Sequence, residues 1–183
     1  MELFKPIRLF AGGLKLSIRL KNTRRNKKFN SLHNTHKIGI AWDGSDTRDF
    51  EAIASFYHEM QKLNIQTDII CYYPDKVLPD KYTAIRYLSC IKESDLSYFY
   101  IPRSSDIEEF INTPYEILID INNNNYFPLK YITVLSRAEL KIGPDSSAYR
   151  DMLDMTIKIS GNYEVSYYLE QVKYYLDMIN AGT

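Results

Sequence analysis

Four charged residues lie at or beyond the ends of predicted β-strands, at positions where ligand chemistry is possible: Asp43, Asp46, Arg103 and Asp120. Ligands of open α/β sheets bind beyond the carboxyl ends of the strands, so these four residues define a candidate ligand pocket. Asp43 and Asp46 could bind a divalent cation or a cationic ligand, and Asp120 could bind a sugar together with the asparagines at 122–125. Each also has a structural alternative, because aspartate caps helices and asparagine satisfies turns.

Other signs of catalysis or metal binding are few. The loop WDGSDTRD after the first predicted strand is rich in carboxylates, where a nucleotide-binding protein has a glycine-rich turn, and it should repel an anionic ligand. Cys71 and Cys90 fit neither a disulfide framework nor a zinc site and are expected to be reduced and packed. His33 and His36 could bind a metal only with outside ligands. The sequence predicts no metal and no cofactor, and it disfavours an enzyme of known mechanism.

The net charge of zero conceals a strong asymmetry along the chain. Residues 1–37 contain ten Lys or Arg and one acidic residue, a net charge of +9, and the remaining 13 basic and 22 acidic residues give −9. Such a basic arm is typical of a segment that binds polyanions, either nucleic acid or an anionic membrane surface. The alternative is an arm that folds onto its own acidic body.

Six basic residues of the arm are the candidate polyanion-binding residues: Arg19, Lys21, Arg24, Arg25, Lys27 and Lys28. Four of them lie in TRRNKKFN (residues 23–30), which has no apolar period and is expected to be a mobile basic linker that contacts phosphates. The linker lacks the interleaved aromatic residues of a base-stacking surface, so nucleic acid is only one of its possible partners.

The conformation of the first twenty residues has two interpretations. Five apolar residues recur at three- and four-residue steps, as on one face of an amphipathic helix: Phe4, Ile7, Ala11, Leu14 and Ile18. The run from Leu14 to Leu20 also alternates apolar and polar residues, as a strand does, and Gly12 and Gly13 would weaken a helix. Helix and strand therefore both remain open for the arm.

From Lys37 onward, apolar runs alternate with helical patterns, which indicates βαβ units. The predicted strands are residues 37–42, 66–73, 97–101, 116–121, 139–142 and 154–159. The predicted helices start near Asp46, lie around 84–91, span 105–112 with Ser105 and Glu108 as a capping box, run from Pro128 to about 137, and follow Asn162 as a cap. The prediction is one Rossmann-like α/β domain at 37–183, with a mostly parallel sheet and helices on both faces, preceded by a basic arm and linker at 1–36.

The C-terminal half carries a family resemblance. The segments FINTPYEILIDI, YFPLKYITVLSRAELKIGP, YRDMLDMTIKI and YLEQVKYYLDMIN resemble a bacterial family of unknown function, and the resemblance covers most of residues 37–180. The order EILIDI, helix, SRAELKIG is also similar to the N-terminal Rossmann-like half of heptosyltransferase-type glycosyltransferases. That second similarity implies a shared ancestry of the fold only, since those enzymes hold the donor nucleotide mainly in another domain, and no catalytic residue carries over.

These observations predict a binding or adaptor protein without catalysis. Its basic arm would dock on RNA, a ribonucleoprotein or an anionic membrane surface while the body meets a protein partner. The alternatives are a glycosyltransferase-related enzyme or small-ligand binder that uses Asp43 or Asp120, and an oligomerising interaction protein with a structural arm. No apolar run is long enough to span a membrane and no secretory signal is readable, so the expected location is the cytoplasm, with peripheral membrane contact as an option.

Overall fold

The computed structural model describes residues 4–83, 85–159 and 164–179. Its α-helices are α1 (Lys5–Lys21), α2 (Phe50–Lys62), α3 (Asp80–Thr83), α4 (Ser105–Asn112), α5 (Phe127–Leu135) and α6 (Val165–Met178). Its β-strands are β1 (Lys37–Asp43), β2 (Gln66–Tyr73), β3 (Leu88–Lys92), β4 (Ile117–Ile121), β5 (Leu140–Pro144) and β6 (Met155–Ile157). The chain therefore alternates strands and helices after the N-terminal helix.

The six strands form one sheet in the order β3-β2-β1-β4-β5-β6, and every neighbouring pair is parallel. This confirms the predicted Rossmann-like sheet. β1 lies in the middle and pairs with β2 on one side and β4 on the other. From β1 the chain builds one side of the sheet through β2 and β3, and it then crosses to the other side of β1 and continues through β4, β5 and β6. The carboxyl ends of β1 and β4 therefore form the switch point of the sheet.

The central strands are apolar on both faces because helices cover both. Ile38, Ile40 and Trp42 of β1 point into a core shared with α2 and α6, whereas Ala41 points into a second core shared with α4 and α5. All four side chains are fully buried. A strand buried on both faces reads as a continuous apolar run, which is why KIGIAW was recognisable in the sequence.

The third predicted strand was wrong. The edge strand is Leu88–Lys92, which overlaps the helix predicted around 84–91, and residues 97–101 form a turn instead. Ser97 Oγ accepts the backbone N–H groups of Phe99 and Ile101 at 3.2 and 3.0 Å, and Tyr100 has a positive φ of 59°. These local bonds override the strand propensity of the aromatic residues.

The helix starts were mostly predicted correctly. Asp46 accepts the Arg48 backbone N–H at 2.9 Å and caps a short 3-10 helix that leads into α2. Pro128 lies in the first turn of α5, as predicted. The cap of α4 is Ser104 rather than Ser105, because the Ser104 hydroxyl accepts the Ile107 N–H at 3.3 Å. The proposed cap of α6 at 162 lies outside the described residues.

Candidate functional site

The loops after β1 and β4 meet at the switch point. The Asn124 backbone N–H and side-chain amide both donate to Asp43 Oδ2, at 3.1 and 2.8 Å, and the same amide donates to Ser45 Oγ at 3.1 Å. Asp43 is only 4% exposed. The aspartate that ends β1 is therefore held by one asparagine of the run that follows β4, which gives Asn124 a structural role.

An open cavity of about 540 Å³ lies at this point. Four of the eight described residues that line it are acidic: Asp43, Ser45, Asp46, Arg48, Asp49, Asn123, Asn124 and Glu164. The arginine among these described residues is already paired, since Arg48 hydrogen-bonds the Asp46 carboxylate at 2.5 to 3.0 Å, and this contact lowers the pKa of Asp46 to about 2. Burial, followed by the neighbouring carboxylates, raises the pKa of Asp49. The cavity is thus unfavourable for the phosphates of a nucleotide.

Asp120 does not line this cavity. Its side chain is fully buried, accepts the Tyr149 hydroxyl at 2.6 Å and lies 3.3 Å from the Thr133 hydroxyl. Burial raises the pKa of Asp120 to about 7, against the opposing effect of these hydrogen bonds. Arg103 lies elsewhere, in an exposed loop, where its backbone N–H donates to the Asp95 carbonyl just after the edge strand β3. The structure therefore brings together Asp43 and Asp46, but neither Asp120 nor Arg103 joins them in the cavity.

The described part of the N-terminal arm contains a 17-residue helix, α1, that packs on the body. Leu16 is buried at 5% exposure among residues of α4 and α5. Gly12 lies directly against the Phe99 carbonyl oxygen and the ring of Phe127. The helical interpretation of the arm is confirmed, and a glycine expected to weaken the helix allows its close contact with the body.

Two arginines of α1 are held by the body. Arg19 forms a paired hydrogen bond with the Glu108 carboxylate at 2.7 and 2.5 Å and also donates to the Tyr131 hydroxyl at 2.9 Å. The contact with Glu108 raises the pKa of Arg19 still further. Arg8 donates to the Tyr98 carbonyl at 2.7 Å, and its guanidinium lies over the Tyr98 ring at 4.4 Å. The turn at 97–101 thus contacts the arm.

The linker after α1 also contacts the body. Arg25 donates to the Ala138 carbonyl at 2.9 Å and to the Asp154 carboxylate, and Lys27 lies 3.1 Å from the same carboxylate. The Asn30 amide donates to the Glu116 carbonyl at 3.1 Å. The linker expected to be mobile is therefore anchored at several points.

The six candidate polyanion-binding residues divide into two groups. Arg19 and Arg25 are paired with body carboxylates, and Lys27 is paired but 70% exposed. The others are exposed and form no ion pair within the described part of the chain: Lys21, Arg24 and Lys28. Only this second group has its full charge available to a partner.

Large apolar side chains along one side of α1 face the solvent. Phe4, just before the helix, and four residues within it are 52–69% exposed, and we call them the apolar face of α1: Phe4, Ile7, Phe10, Leu14 and Ile18. The sequence had grouped four of these on one side of a helix but had missed Phe10. The helix instead packs on the body through the side that carries Gly12 and Leu16. The described part of the chain therefore leaves the strongest apolar row of the arm uncovered.

The two adjacent glycines of α1 allow a test of this docking. Gly13→Ala should raise the free energy of unfolding by about 0.5–1 kcal/mol, because a Cβ at Gly13 meets no atom within 4 Å and alanine favours the helix. Gly12→Ala should lower it by about 1–3 kcal/mol despite the same gain, because its Cβ would collide with the Phe99 backbone. Urea unfolding of both variants gives the comparison, and equal stabilisation by the two would contradict the docking of α1.

Comparison with known proteins supports the family resemblance but adds no activity. Residues 10–179 match the model of a family of unknown function, DUF6913. No match was found among curated proteins. The similarity to heptosyltransferase-type glycosyltransferases stays a prediction. No helix in residues 4–83, 85–159 and 164–179 is both long enough and apolar enough to cross a membrane.

Proposed function

The chain belongs to a family of unknown function, DUF6913, and we propose that it is a non-catalytic adaptor that docks through α1 on an anionic membrane surface. The α/β body remains in water, where it is free to meet a protein partner. The location is the cytoplasmic face of a membrane, and the attachment is peripheral.

The apolar face of α1 carries this proposal. Its five large side chains, four in α1 and one just before it, are more than half exposed, although the same helix packs on the body by its other side. A contiguous exposed apolar surface is characteristic of an interaction site. An amphipathic helix that lies in the membrane interface buries such a face below the headgroups. RNA offers phosphates and base edges rather than an apolar phase, so this face favours the membrane over RNA.

The unpaired charges of the arm support an anionic surface in particular. Lys21 ends α1, and Arg24 and Lys28 follow it in the linker, all exposed. Each Lys or Arg close to an anionic membrane contributes about 1 kcal/mol of attraction. The rest of the chain, from residue 38, has an excess of nine acidic residues. Repulsion of that body by the same surface would orient the protein with α1 towards the lipid.

Vesicle sedimentation of the full-length protein tests the proposal. We expect binding to vesicles of phosphatidylcholine mixed with phosphatidylglycerol, weaker binding to phosphatidylcholine alone, and a loss of binding as salt rises. Phe10→Ser combined with Leu14→Ser should weaken binding about a hundredfold or more, because burial of each such side chain contributes about 1.5–3 kcal/mol. Val77→Ser, at a side chain that is 81% exposed outside α1, is the matched control.

A charge variant separates the electrostatic part. Lys21→Glu combined with Arg24→Glu should abolish the preference for anionic vesicles, whereas Lys62→Glu combined with Lys76→Glu, two exposed lysines of the body, should not. Wild-type binding by the Phe10 and Leu14 double variant would overturn the proposal. So would a wild-type dimer that this double variant converts to a monomer, because a second copy of the chain would then cover the apolar face.

A further inference from the structure

Cys71 and Cys90 lie side by side on neighbouring strands. They are direct register partners in the parallel pairing of β2 with β3, so both side chains point to the same face of the sheet. Neighbouring strands are about 4.8 Å apart, and a disulfide needs a Cα separation of about 4.4–6.8 Å. The backbone therefore already holds the two cysteines within bonding range, although they are 19 positions apart in the sequence and both are free.

We propose that Cys71 and Cys90 are an oxidisable dithiol that forms an intramolecular disulfide with a peroxide as oxidant. The two residues have unequal access to solvent, which assigns their roles. Cys71 is fully buried, whereas Cys90 is half-buried on the edge strand β3. A small oxidant can therefore reach Cys90 from the edge of the sheet, and Cys71 can react only with its partner.

The contact between the thiols agrees with this assignment. The Cys71 thiol hydrogen-bonds the Cys90 sulfur, and this bond lowers the pKa of Cys90. Burial, followed by the same bond, raises the pKa of Cys71. Because the thiolate is the nucleophile in such reactions, Cys90 is the attacking sulfur and Cys71 the resolving one.

The chemistry proceeds in two steps. The Cys90 thiolate attacks one peroxide oxygen, the O–O bond breaks, and the departing hydroxide takes a proton to become water, which leaves a sulfenic acid on Cys90. The Cys71 sulfur then attacks the Cys90 sulfur and loses its proton, the S–O bond breaks, and a second water leaves. Two thiols and one peroxide thus give one disulfide and two waters, with the peroxide reduced by two electrons.

The disulfide would form close to the switch point of the sheet. Cys71 Sγ packs against the backbone of Gly44, next to Asp43 at the switch point, so oxidation would change the packing beneath the cavity.

Intact-mass measurement of the folded full-length protein tests this inference. After hydrogen peroxide treatment we expect a loss of two hydrogen masses per chain, no alkylation by iodoacetamide under denaturing conditions, and two alkylations after reduction by dithiothreitol. Cys71→Ser should stop the reaction at a Cys90 sulfenic acid that dimedone labels. In Cys90→Ser the buried Cys71 should be oxidised at least about tenfold more slowly than Cys90 is in the wild type.

Two results would overturn the inference without depending on any variant. One is oxygen addition to the wild-type chain without a disulfide, and the other is a disulfide that appears only between chains or only after unfolding in urea. Trp42, the single tryptophan, is buried in the same core as Cys71, with its ring centroid 5.2 Å from that of Tyr82. Its fluorescence reports whether the oxidised protein is still folded. Vesicle binding is not needed for this test, so its outcome is independent of the proposed function.

Discussion

Arg25→Met should lower the free energy of unfolding by about 3 kcal/mol, whereas Arg24→Met should change it by no more than about 0.5 kcal/mol. The two arginines are neighbours in sequence with very different surroundings. The Arg25 side chain is 12% exposed and is paired with Asp154, whose side chain is 7% exposed, while Arg24 is exposed. Loss of Arg25 leaves the buried Asp154 charge with only the exposed Lys27 as an ionic partner, and this poorly compensated charge is the costly part of the change.

The pH dependence of the free energy of unfolding tests whether loss of the Arg25–Asp154 ion pair destabilises the variant. Burial alone would raise the pKa of Asp154, but hydrogen bonds from Arg25, the Lys141 backbone and Lys27 hold it below the ordinary value. An aspartate with a lowered pKa stabilises the fold above its ordinary pKa and loses that contribution as pH falls through the lowered value. The difference in free energy of unfolding between wild type and Arg25→Met should therefore be largest at neutral pH and should become smaller below about pH 4.

Urea unfolding at several pH values makes both comparisons. Arg24→Met, with the same change in charge and side chain, is the control for loss of a basic residue from the linker. If the two variants were equally stable at neutral pH, the linker would not be anchored by Arg25. If the difference in free energy of unfolding between wild type and Arg25→Met stayed constant in acid, the lost packing of the arginine side chain, and not its charge, would cause the destabilisation.

The sheet was predictable because its central strands are buried on both faces. The runs at 37–42, 66–73 and 116–121 are apolar enough to identify a parallel sheet without any alternation. The edge strand at 88–92 is short, with Ser89 and Lys92 among five residues, so it lacks that signal. The aromatic segment at 97–101 was mistaken for it, since strand propensity reflects packing that only the folded chain supplies.

The arm shows where sequence reasoning reaches its limit. A helical period can place Ile7, Leu14 and Ile18 on one side of a helix, but it cannot say whether that side meets the core or the solvent. The close contact at Gly12 decides this, because it depends on Phe99, which is distant in sequence. In the same way nothing in the sequence distinguishes Arg24 from Arg25, because only Arg25 pairs with Asp154, which lies 129 positions later in the chain.

The candidate ligand pocket was predicted in part for a similar reason. Asp43 and Asp46 follow one strand and share the cavity, so a local rule was enough. Asp120 was assigned to the same place because it lies near the end of β4, yet its side chain turns into the core towards Thr133 and Tyr149. Successive side chains of a strand point to opposite faces of the sheet, so the position of Asp120 along β4 determines that it points to a face covered by helices. Predicting this requires knowledge of the strand register.

The buried carboxyl group of Asp120 gives the second large effect. Its pKa of about 7, raised chiefly by burial, means that the folded protein holds a proton which an ordinary aspartate releases near pH 3.8. A group with a raised pKa contributes stability below its unfolded pKa, and that stability is lost as pH rises through the folded value. Stability should therefore fall between about pH 4 and 7, by at most about 4 kcal/mol for a shift of about three units.

Asp120→Asn isolates this contribution. The amide is nearly isosteric, has no charge to desolvate and keeps an oxygen that can accept the Tyr149 hydroxyl. The variant should be as stable as wild type near pH 4 and more stable at pH 8, and its stability should stay constant between about pH 4 and 7, where Asp120 makes the wild type lose stability. Urea unfolding across that range measures it, and a variant less stable than wild type at pH 8 would show that the ionised carboxylate is favourably bound in the core.

Lys141 provides the control, because it acts in the adjacent pH range with the opposite sign. Burial lowers its pKa to about 7, and its ammonium group donates to the Val134 carbonyl at 2.8 Å. Between about pH 7 and its ordinary value of 10.5 the unfolded chain binds more protons, so stability should rise with pH. Lys141→Met should remove this rise and keep the fall at lower pH, whereas Asp120→Asn should do the reverse. A stability minimum near neutral pH in wild type therefore depends on both buried groups.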